Sequence, residues 1–366
     1  MHGRVAAFPK PGERFTIAEF PVPEPEPGAM LARVVMAGIC GSDLHAWRGE
    51  LPAAPGTAAG HEMVGRVERL GPGVTTDSLG RPLKEGDRIV YAYFYPCRRC
   101  RVCLRGQFSA CPNEIARRPL SEPPHFTSAY ADFYYLRPGH VVYRAPDELS
   151  DEELTPVNCA LSQVIFALQE AGLRLGDSFV TQGAGGLGLS ALAVAREMGA
   201  RPLIAIDGVP GRLELARAFG ADAVIDLREF DTPEARIRRV RELTDGYGAD
   251  VVADFVGSAR VLAEGIAMVR NGGTYLEVGN ISPEDAAPFR PQSVVAGRKR
   301  IVGVMHYNPD TIGIALDFLV RTRGRYPFSR LISHRFSLDR IDEAFQTCEW
   351  AGRQAECGVV RGVIVP

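Results

Sequence analysis

From about residue 155 the chain alternates short apolar runs with amphipathic stretches: "SFVTQ", "GLSALAVAREMG", "PLIAID", "GRLELARAFG", "AVID", "EARIRRVREL", "ADVVADF", "RVLAEGIAMV" and "GTYLEVG". The short runs, bounded by Gly and Pro, have the character of buried strands, and the longer ones carry apolar residues at helical spacing. This order is restrictive. Parallel neighbours need a crossover between them, and a helix supplies it. A parallel sheet covered by helices is therefore expected, preceded by the helix "LSQVIFALQEAG".

The first strand-to-helix turn is "GAGGLG", Gly183 to Gly188, a G-x-G-x-x-G pattern. The pattern asks for a tight turn, close approach of backbone to a pyrophosphate, and close packing of helix on strand. Gly183, Gly185, Gly186, Leu187 and Gly188 are the expected phosphate cradle, at a helix N-terminus whose free N–H groups favour anions. The next strand-like run, "LIAID", ends in Asp207, 19 residues after Gly188. A carboxylate there accepts hydrogen bonds from a ribose and repels a 2′-phosphate, which favours NAD over NADP. Arg212 lies close by in sequence and pulls the other way. Gln182 is an unusually polar residue for the end of a buried strand.

Residues 1 to about 150 read differently. "LARVVMAG", "MVGRVERLG" and "DRIVYAYF" are short apolar runs between Gly and Pro turns, the pattern of a β-rich unit. "PVPEPEPG", Pro21 to Gly28, must be extended, because proline fixes its own φ and restricts its predecessor; it is expected as a loop between early strands. Inside this half stands "CRRCRVCLRGQFSAC", which holds four of the chain's eight cysteines in a C-x2-C-x2-C-x7-C pattern: Cys97, Cys100, Cys103 and Cys111. Metal binding and disulfides compete for such a cluster. The N-terminus has no apolar signal core, and no run of 18 apolar residues occurs, so a cytosolic setting with reduced thiols is expected. Two-residue spacers let a turn bring two sulfurs onto one ion, and four thiolates close a structural zinc site. Arg98, Arg99, Arg101 and Arg105 offset the thiolate charge. Ferredoxin spacings do not match.

Composition narrows the function classes further. With 42 basic against 44 acidic residues and no block of like charge, nucleic acid and anionic membranes are not expected partners. The 46% apolar content supports sizeable cores, and 366 residues suggest two domains.

A second set of ligand-type residues is scattered: Cys40 in "GICGSDLH", His61 in "GHEMVG" and Cys159 in "PVNCALS". Two cysteines and a histidine with one open position suit a catalytic zinc. Taken alone, buried cysteines and a lone histidine are more often packing residues. "AGICGSDLH", "AAGHEMVGRV", the four-cysteine lobe and "GAGGLG", in this order and spacing, resemble the zinc-dependent alcohol dehydrogenases of the medium-chain dehydrogenase/reductase superfamily. The resemblance covers essentially the whole chain.

It implies an α/β protein with a discontinuous, β-rich, GroES-like catalytic domain and an inserted Rossmann domain, a doubly wound parallel sheet. The expected bounds are 1–159 for the first part of the catalytic domain, with the zinc lobe at 95–113, 160–303 for the NAD-binding domain, and 304–366 to complete the catalytic domain. Cys40, His61 and Cys159 resemble the catalytic zinc ligands, the third being glutamate in many relatives. Glu62 resembles a zinc-proximal glutamate able to replace water on the metal, and Asp43 a carboxylate that orients His61. Ser42 resembles the hydroxyl that takes the substrate proton, and His45 the histidine at the solvent end of that route. Val256 and Val278 join the expected cofactor contacts. Two Zn²⁺ per chain and NAD are the implied cofactors, and a small alcohol or ketone the substrate.

By motif position Trp47, Tyr93 and Phe126 are expected to wall an apolar pocket, suited to a secondary or cyclic alcohol. "RPLSEPPHFTSAYADFYYL" is expected to roof it. "RIVGVM", Arg300 to Met305, resembles the edge strand that pairs between subunits, so a homodimer or homotetramer is expected. Two rival readings make distinct demands. A zinc-free reductase of quinones or enoyl substrates would lack Cys40 and His61. A zinc protein that binds nucleic acid would show a basic face.

Overall fold

The structure is a computed structural model, and it describes residues 1–7, 10–51, 60–115, 120–350 and 358–366. Two large sheets organise it. The first is wholly parallel, with six strands in the order Ala223–Asp226, Leu203–Asp207, Phe179–Gln182, Ala249–Asp254, Val269–Glu277 and Arg300–Gly303. Strand order reverses beside Phe179–Gln182: the next strand in sequence lies on one side, and Ala249–Asp254 on the other. A crevice opens at the carboxyl ends of strands at such a switch point.

Gln182 sits at that point, paired in register with Ile206 and Asp254. Its amide accepts from the Tyr275 hydroxyl at 3.2 Å and donates to the Val261 carbonyl at 3.2 Å. A polar residue at this buried strand end is therefore satisfied from both sides, as burial requires.

The second sheet runs His334–Ser337, Gly362–Val365, Met30–Gly38, Glu62–Leu70, Arg88–Tyr91 and Val142–Arg144, with Phe133–Leu136 also pairing with Met30–Gly38. The last strand of the chain thus lies against an early one, Val363 opposite Gly38. This β-rich body is discontinuous, and the parallel sheet interrupts it. His2–Ala7 and Thr16–Pro21 form a separate antiparallel pair, and the proline-rich loop leads from there into Met30–Gly38.

The helix Ser162–Ala171 joins the two bodies. Val164 and Leu168 share one core with Leu189 and Leu192 of the glycine-loop helix, Leu316 of the helix Thr311–Arg321, and Val64 and Val90 of the second sheet. One common core fixes the crevice between the sheets. Among the described residues no helix is long and apolar enough to cross a membrane.

Candidate functional site

The cysteine lobe is built from two short 3-10 turns, Cys103–Arg105 and Phe108–Ala110. Cys97 and Cys103 sulfurs lie 4.0 Å apart, as do those of Cys100 and Cys111. A tetrahedron with metal–sulfur bonds of about 2.3 Å has edges of about 3.8 Å, whereas a disulfide needs about 2.05 Å. All four ligand atoms lie within 4.8 Å of one another. Backbone N–H groups of Cys97 and Cys103 point at the sulfurs of Cys111 and Cys100, and backbone hydrogen bonds draw the Cys97 thiol down to about 6. The set fits a closed tetrahedral ion. Asn308 fastens the lobe, accepting from the N–H of Phe108 at 3.0 Å and donating to the Gly106 carbonyl at 2.9 Å. None of the four cysteines lines the crevice.

The crevice, about 730 Å³, receives the second set. Cys40 stands at the N-terminus of the helix Gly41–Arg48, His61 just before the strand Glu62–Leu70, and Cys159 in a π-helical turn, Val157–Leu161. π-turns interrupt helices mostly where a side chain must be re-aimed. Cys40 and Cys159 sulfurs are 3.9 Å apart, and His61 Nε2 is 3.4 Å from Cys159 Sγ. For zinc, sulfur–sulfur and sulfur–nitrogen edges of about 3.8 and 3.5 Å follow from the usual bond lengths. The contact with Cys159 holds the Cys40 thiol well below its ordinary range. The same contact, with burial, pushes Cys159 well above it.

Glu62 completes the cluster. Its Oε2 is bound by Arg361, while its buried Oε1 has no hydrogen-bond partner. An orphaned carboxylate oxygen is costly, and a cation among these residues would satisfy it. Cys40, His61 and Cys159 fit a zinc with one open position, beside which Glu62 stands.

Asp43 organises the histidine. Its carboxylate takes N–H donors from Cys40 at 2.9 Å and Gly60 at 3.2 Å, and the Tyr130 hydroxyl at 2.8 Å. The remaining neighbour is His61 Nδ1, 3.4 Å away. Burial works against a charged His61, but Asp43 and then Cys40 outweigh it and raise the imidazole to about 9. Tyr130 carries no motif. Burial and Asp43 hold its phenol well above the usual range, so it stays a donor.

Ser42 and His45, three residues apart on one helix, face the crevice together. His45 Nδ1 meets Glu50 Oε2 at 2.5 Å. Its Nε2 points across the crevice at the parallel-sheet body, where a side chain added at Gly257 would lie 3.5 Å from it.

The glycine turn shows why its residues are glycines. Gly183 has φ +92, and a Cβ on Gly188 would lie 2.0 Å from the Gly183 carbonyl oxygen. A Cβ on Gly185 would meet nothing within 4 Å, so that backbone borders open crevice. Asp207 is buried, its carboxylate accepting from Ala184 N–H at 2.8 Å and Val209 N–H at 2.9 Å. Arg212 Nη1 lies 3.9 Å from it. Leu187, Val256 and Val278 also line the crevice.

Arg361 is a site residue without a sequence signal. It is 5% exposed, lines the crevice, and its Nη2 would lie 2.9 Å from a Cβ on Gly186. Its Nε has no partner. Burial lowers its pKa, so a second anion at the glycine turn would be well received.

Of the three expected aromatic walls only Tyr93 lines the crevice, its ring 4.6 Å from that of His61. Trp47 and Phe126 do not. Trp47 is two residues beyond His45, roughly 200° around the helix. It turns away to meet Phe345 edge-on at 5.9 Å and donates to the Glu13 carbonyl. Phe126 is fully buried with Val5, Leu31 and Phe133 in a separate core. Nor does the segment roof the pocket: among described residues 120–136 none lines it. Its residues 118–119 lie outside the described ones. The walls are instead Leu51, Ile281, Met305, His306 and Trp350.

Residues 26–147 match the family model of the alcohol dehydrogenase GroES-like domain, and 186–321 that of the zinc-binding dehydrogenases. The 5-exo-hydroxycamphor dehydrogenase of Pseudomonas putida is 37% identical over 330 residues, which cover 90% of this chain and 91% of that one. The chain belongs to the zinc-type medium-chain alcohol dehydrogenases. It is an oxidoreductase that acts on alcohols and uses zinc and a nicotinamide cofactor. Among solved structures, the alcohol dehydrogenase of Thermotoga maritima superimposes with a TM-score of 0.91 at 29% identity, covering 100% of both chains. The benzyl alcohol dehydrogenase of Acinetobacter calcoaceticus gives 0.84 at 26% identity, over 100% of this chain and 99% of that one.

Proposed function

We propose that this dehydrogenase interconverts a bulky apolar secondary or cyclic alcohol and its ketone, with NAD as the hydride carrier. The observation that carries the reading is the convergence of Cys40, His61 and Cys159 at the floor of a crevice that also opens on the glycine turn. Leu51, Tyr93, Ile281 and Met305 offer the substrate apolar walls. Two relatives are named for ring-bearing alcohols, hydroxycamphor and benzyl alcohol, which agrees with such walls. Convergence of the two cysteines with the histidine speaks against a zinc-free reductase.

Zinc, when bound, supplies a Lewis acid for the alcohol oxygen, and the nicotinamide accepts the hydride. The remaining work falls to the chain's own groups. Cys40, His61 and Cys159 would hold the catalytic ion, with Asp43 and Tyr130 fixing the imidazole. Cys97, Cys100, Cys103 and Cys111 would hold a structural one. The glycine-turn N–H groups and Arg361 would bind the pyrophosphate, and Asp207 the adenosine ribose. Ser42 would take the substrate proton and pass it toward His45 Nε2. The open edge of Arg300–Gly303, where Ile301 is exposed, supports pairing with a second copy. Free thiols at all seven described cysteines agree with a reducing, cytosolic setting.

The test is Ser42→Ala, assayed with ring alcohols on zinc-replete protein. A kcat loss of about 10²–10⁴-fold is expected, with zinc content and NAD affinity retained. Near-full activity would remove Ser42 from the proton route, and a native protein that oxidised no ring alcohol would overturn the reading.

A further inference from the structure

The helix that carries Ser42 and His45 ends in a cluster of charge that the proton route does not itself require. Arg48 donates from Nε to Glu50 Oε1 at 2.7 Å and from Nη2 to Glu50 Oε2 at 2.8 Å. Its Nη1 is bound by both oxygens of Glu349, at 2.8 and 3.0 Å. Its guanidinium lies over the Trp350 ring, 5.2 Å from the centroid. Glu349 and Trp350 stand just past the helix Ile341–Cys348, some 300 residues away in sequence.

Four groups face the His45 imidazole. Glu50 Oε2 is 2.5 Å from Nδ1, and Arg48 Nη2 is 3.1 Å from the same nitrogen. The Trp350 ring stands edge-on at 5.7 Å, and Gly257 backs Nε2 from the parallel-sheet body. A carboxylate and an imidazole lone pair cannot face each other at 2.5 Å, so Nδ1 carries a hydrogen. The hydrogens of Nδ1 and of Arg48 then converge on Glu50 Oε2. With Nδ1–H committed, the other nitrogen of a neutral imidazole is an acceptor.

We propose that Glu50 is a positioning residue for proton transfer: it fixes the Nδ1–H tautomer of His45 and so presents Nε2 to the crevice as the proton acceptor, while Arg48, pinned by Glu349, braces it. This rests on the proton route proposed above. The proton from the substrate side is taken at Nε2, the Nδ1–H bond stays intact, and the imidazolium hands the proton on to a base in solvent. Arg48 and then His45 hold the Glu50 carboxyl down at about 2, so it is an anionic acceptor at neutral pH. An acceptor fixed at Nδ1 leaves the lone pair of the neutral ring on Nε2.

The experiment is ¹⁵N NMR of the imidazoles in the zinc- and NAD-loaded protein, with the His45 signal identified by its loss in His45→Gln. Neutral His45 should carry its hydrogen on Nδ1. Glu50→Leu, which removes the acceptor at Nδ1, should shift neutral His45 toward the Nε2–H tautomer. kcat for alcohol oxidation should fall by about tenfold in that variant, because Nε2 then holds a hydrogen in part of the population. Zinc content and the KM for alcohol should stay as in the native protein, and Glu50→Asp should keep the native tautomer and most of the kcat. An Nε2–H tautomer in the native protein overturns the proposal, and that spectrum needs no Glu50 variant to fold. A native tautomer and native kcat in Glu50→Leu also overturn it. If the native protein oxidised no alcohol, the functional reading would fail, and the proposal with it. The tautomer would then describe a structural contact alone.

Discussion

Glu62 and Arg361, 299 positions apart in sequence, form a buried ion pair that ties the last strand of the chain to the floor of the crevice. The pair faces two ligands at once. A Glu62 carboxylate oxygen lies within the cysteine–histidine cluster, and the Arg361 guanidinium faces the glycine turn. Removing one partner of a buried pair strands the other charge, at a cost of about 3–5 kcal/mol. Arg361→Gln should therefore lower thermal stability and weaken NADH binding together. Adding Glu62→Gln should recover stability without recovering NADH affinity, because the anion contact is still missing. Thermal melts and NADH titrations of the two variants check this, and native NADH affinity in Arg361→Gln would contradict it.

The cysteine lobe makes a separable prediction. Cys100→Ser should cost about one zinc per chain and lower stability, since metal binding there contributes folding free energy. The lobe lies outside the crevice, so any folded fraction should keep its kcat. Metal analysis of the folded fraction gives the answer, and a fully metallated, equally stable variant would refute the assignment.

The crevice site should release protons as it fills. Without metal, His61 is raised to about 9 and Cys159 is raised well above its ordinary range, so both hold protons at pH 7. Cys40 is held well below its range, toward the thiolate. Zinc binds the deprotonated forms, so refilling the site after mild chelation should release about two protons per ion near pH 7. Apparent zinc affinity should fall as pH falls. Calorimetry in buffers of different ionisation enthalpy counts the protons, and a count near zero would show that the structure misplaces the charges.

Much of this was legible in the sequence, for local reasons. Gly183 and Gly188 announce a turn that only glycine allows, and the spacing of Cys97, Cys100 and Cys103 places their sulfurs within reach of one ion before any tertiary contact forms. Arg361 was not legible, because its role depends on a strand returning across the whole chain to Gly38. Glu50 and Tyr130 act through partners on other turns or strands. Trp47 and Phe126 were misplaced for one shared reason. Aromatic residues near a motif suggest a wall, but roughly 200° of helix rotation turns Trp47 onto Phe345, and the loop that carries Phe126 packs its ring with Val5 and Leu31.

Cofactor choice should follow Asp207. Native kcat/KM for NAD should exceed that for NADP by at least about tenfold, roughly 1.4 kcal/mol in the transition state. Asp207→Ala should erode the preference, because its carboxylate no longer repels a 2′-phosphate. That carboxylate also bonds the N–H groups of Ala184 and Val209, so the variant should raise the KM for NAD as well. Steady-state kinetics with both cofactors decide it, and equal native efficiencies would contradict the assignment.

The most direct test of the account counts zinc in the native protein and in Cys159→Ala, alongside NADH formation from a panel of ring alcohols. The account predicts two zinc ions per chain and alcohol-dependent NADH formation in the native protein. In a folded Cys159→Ala variant it predicts one ion and loss of that activity. Native rates of NADH formation from a variant that retains only the lobe ion would contradict it.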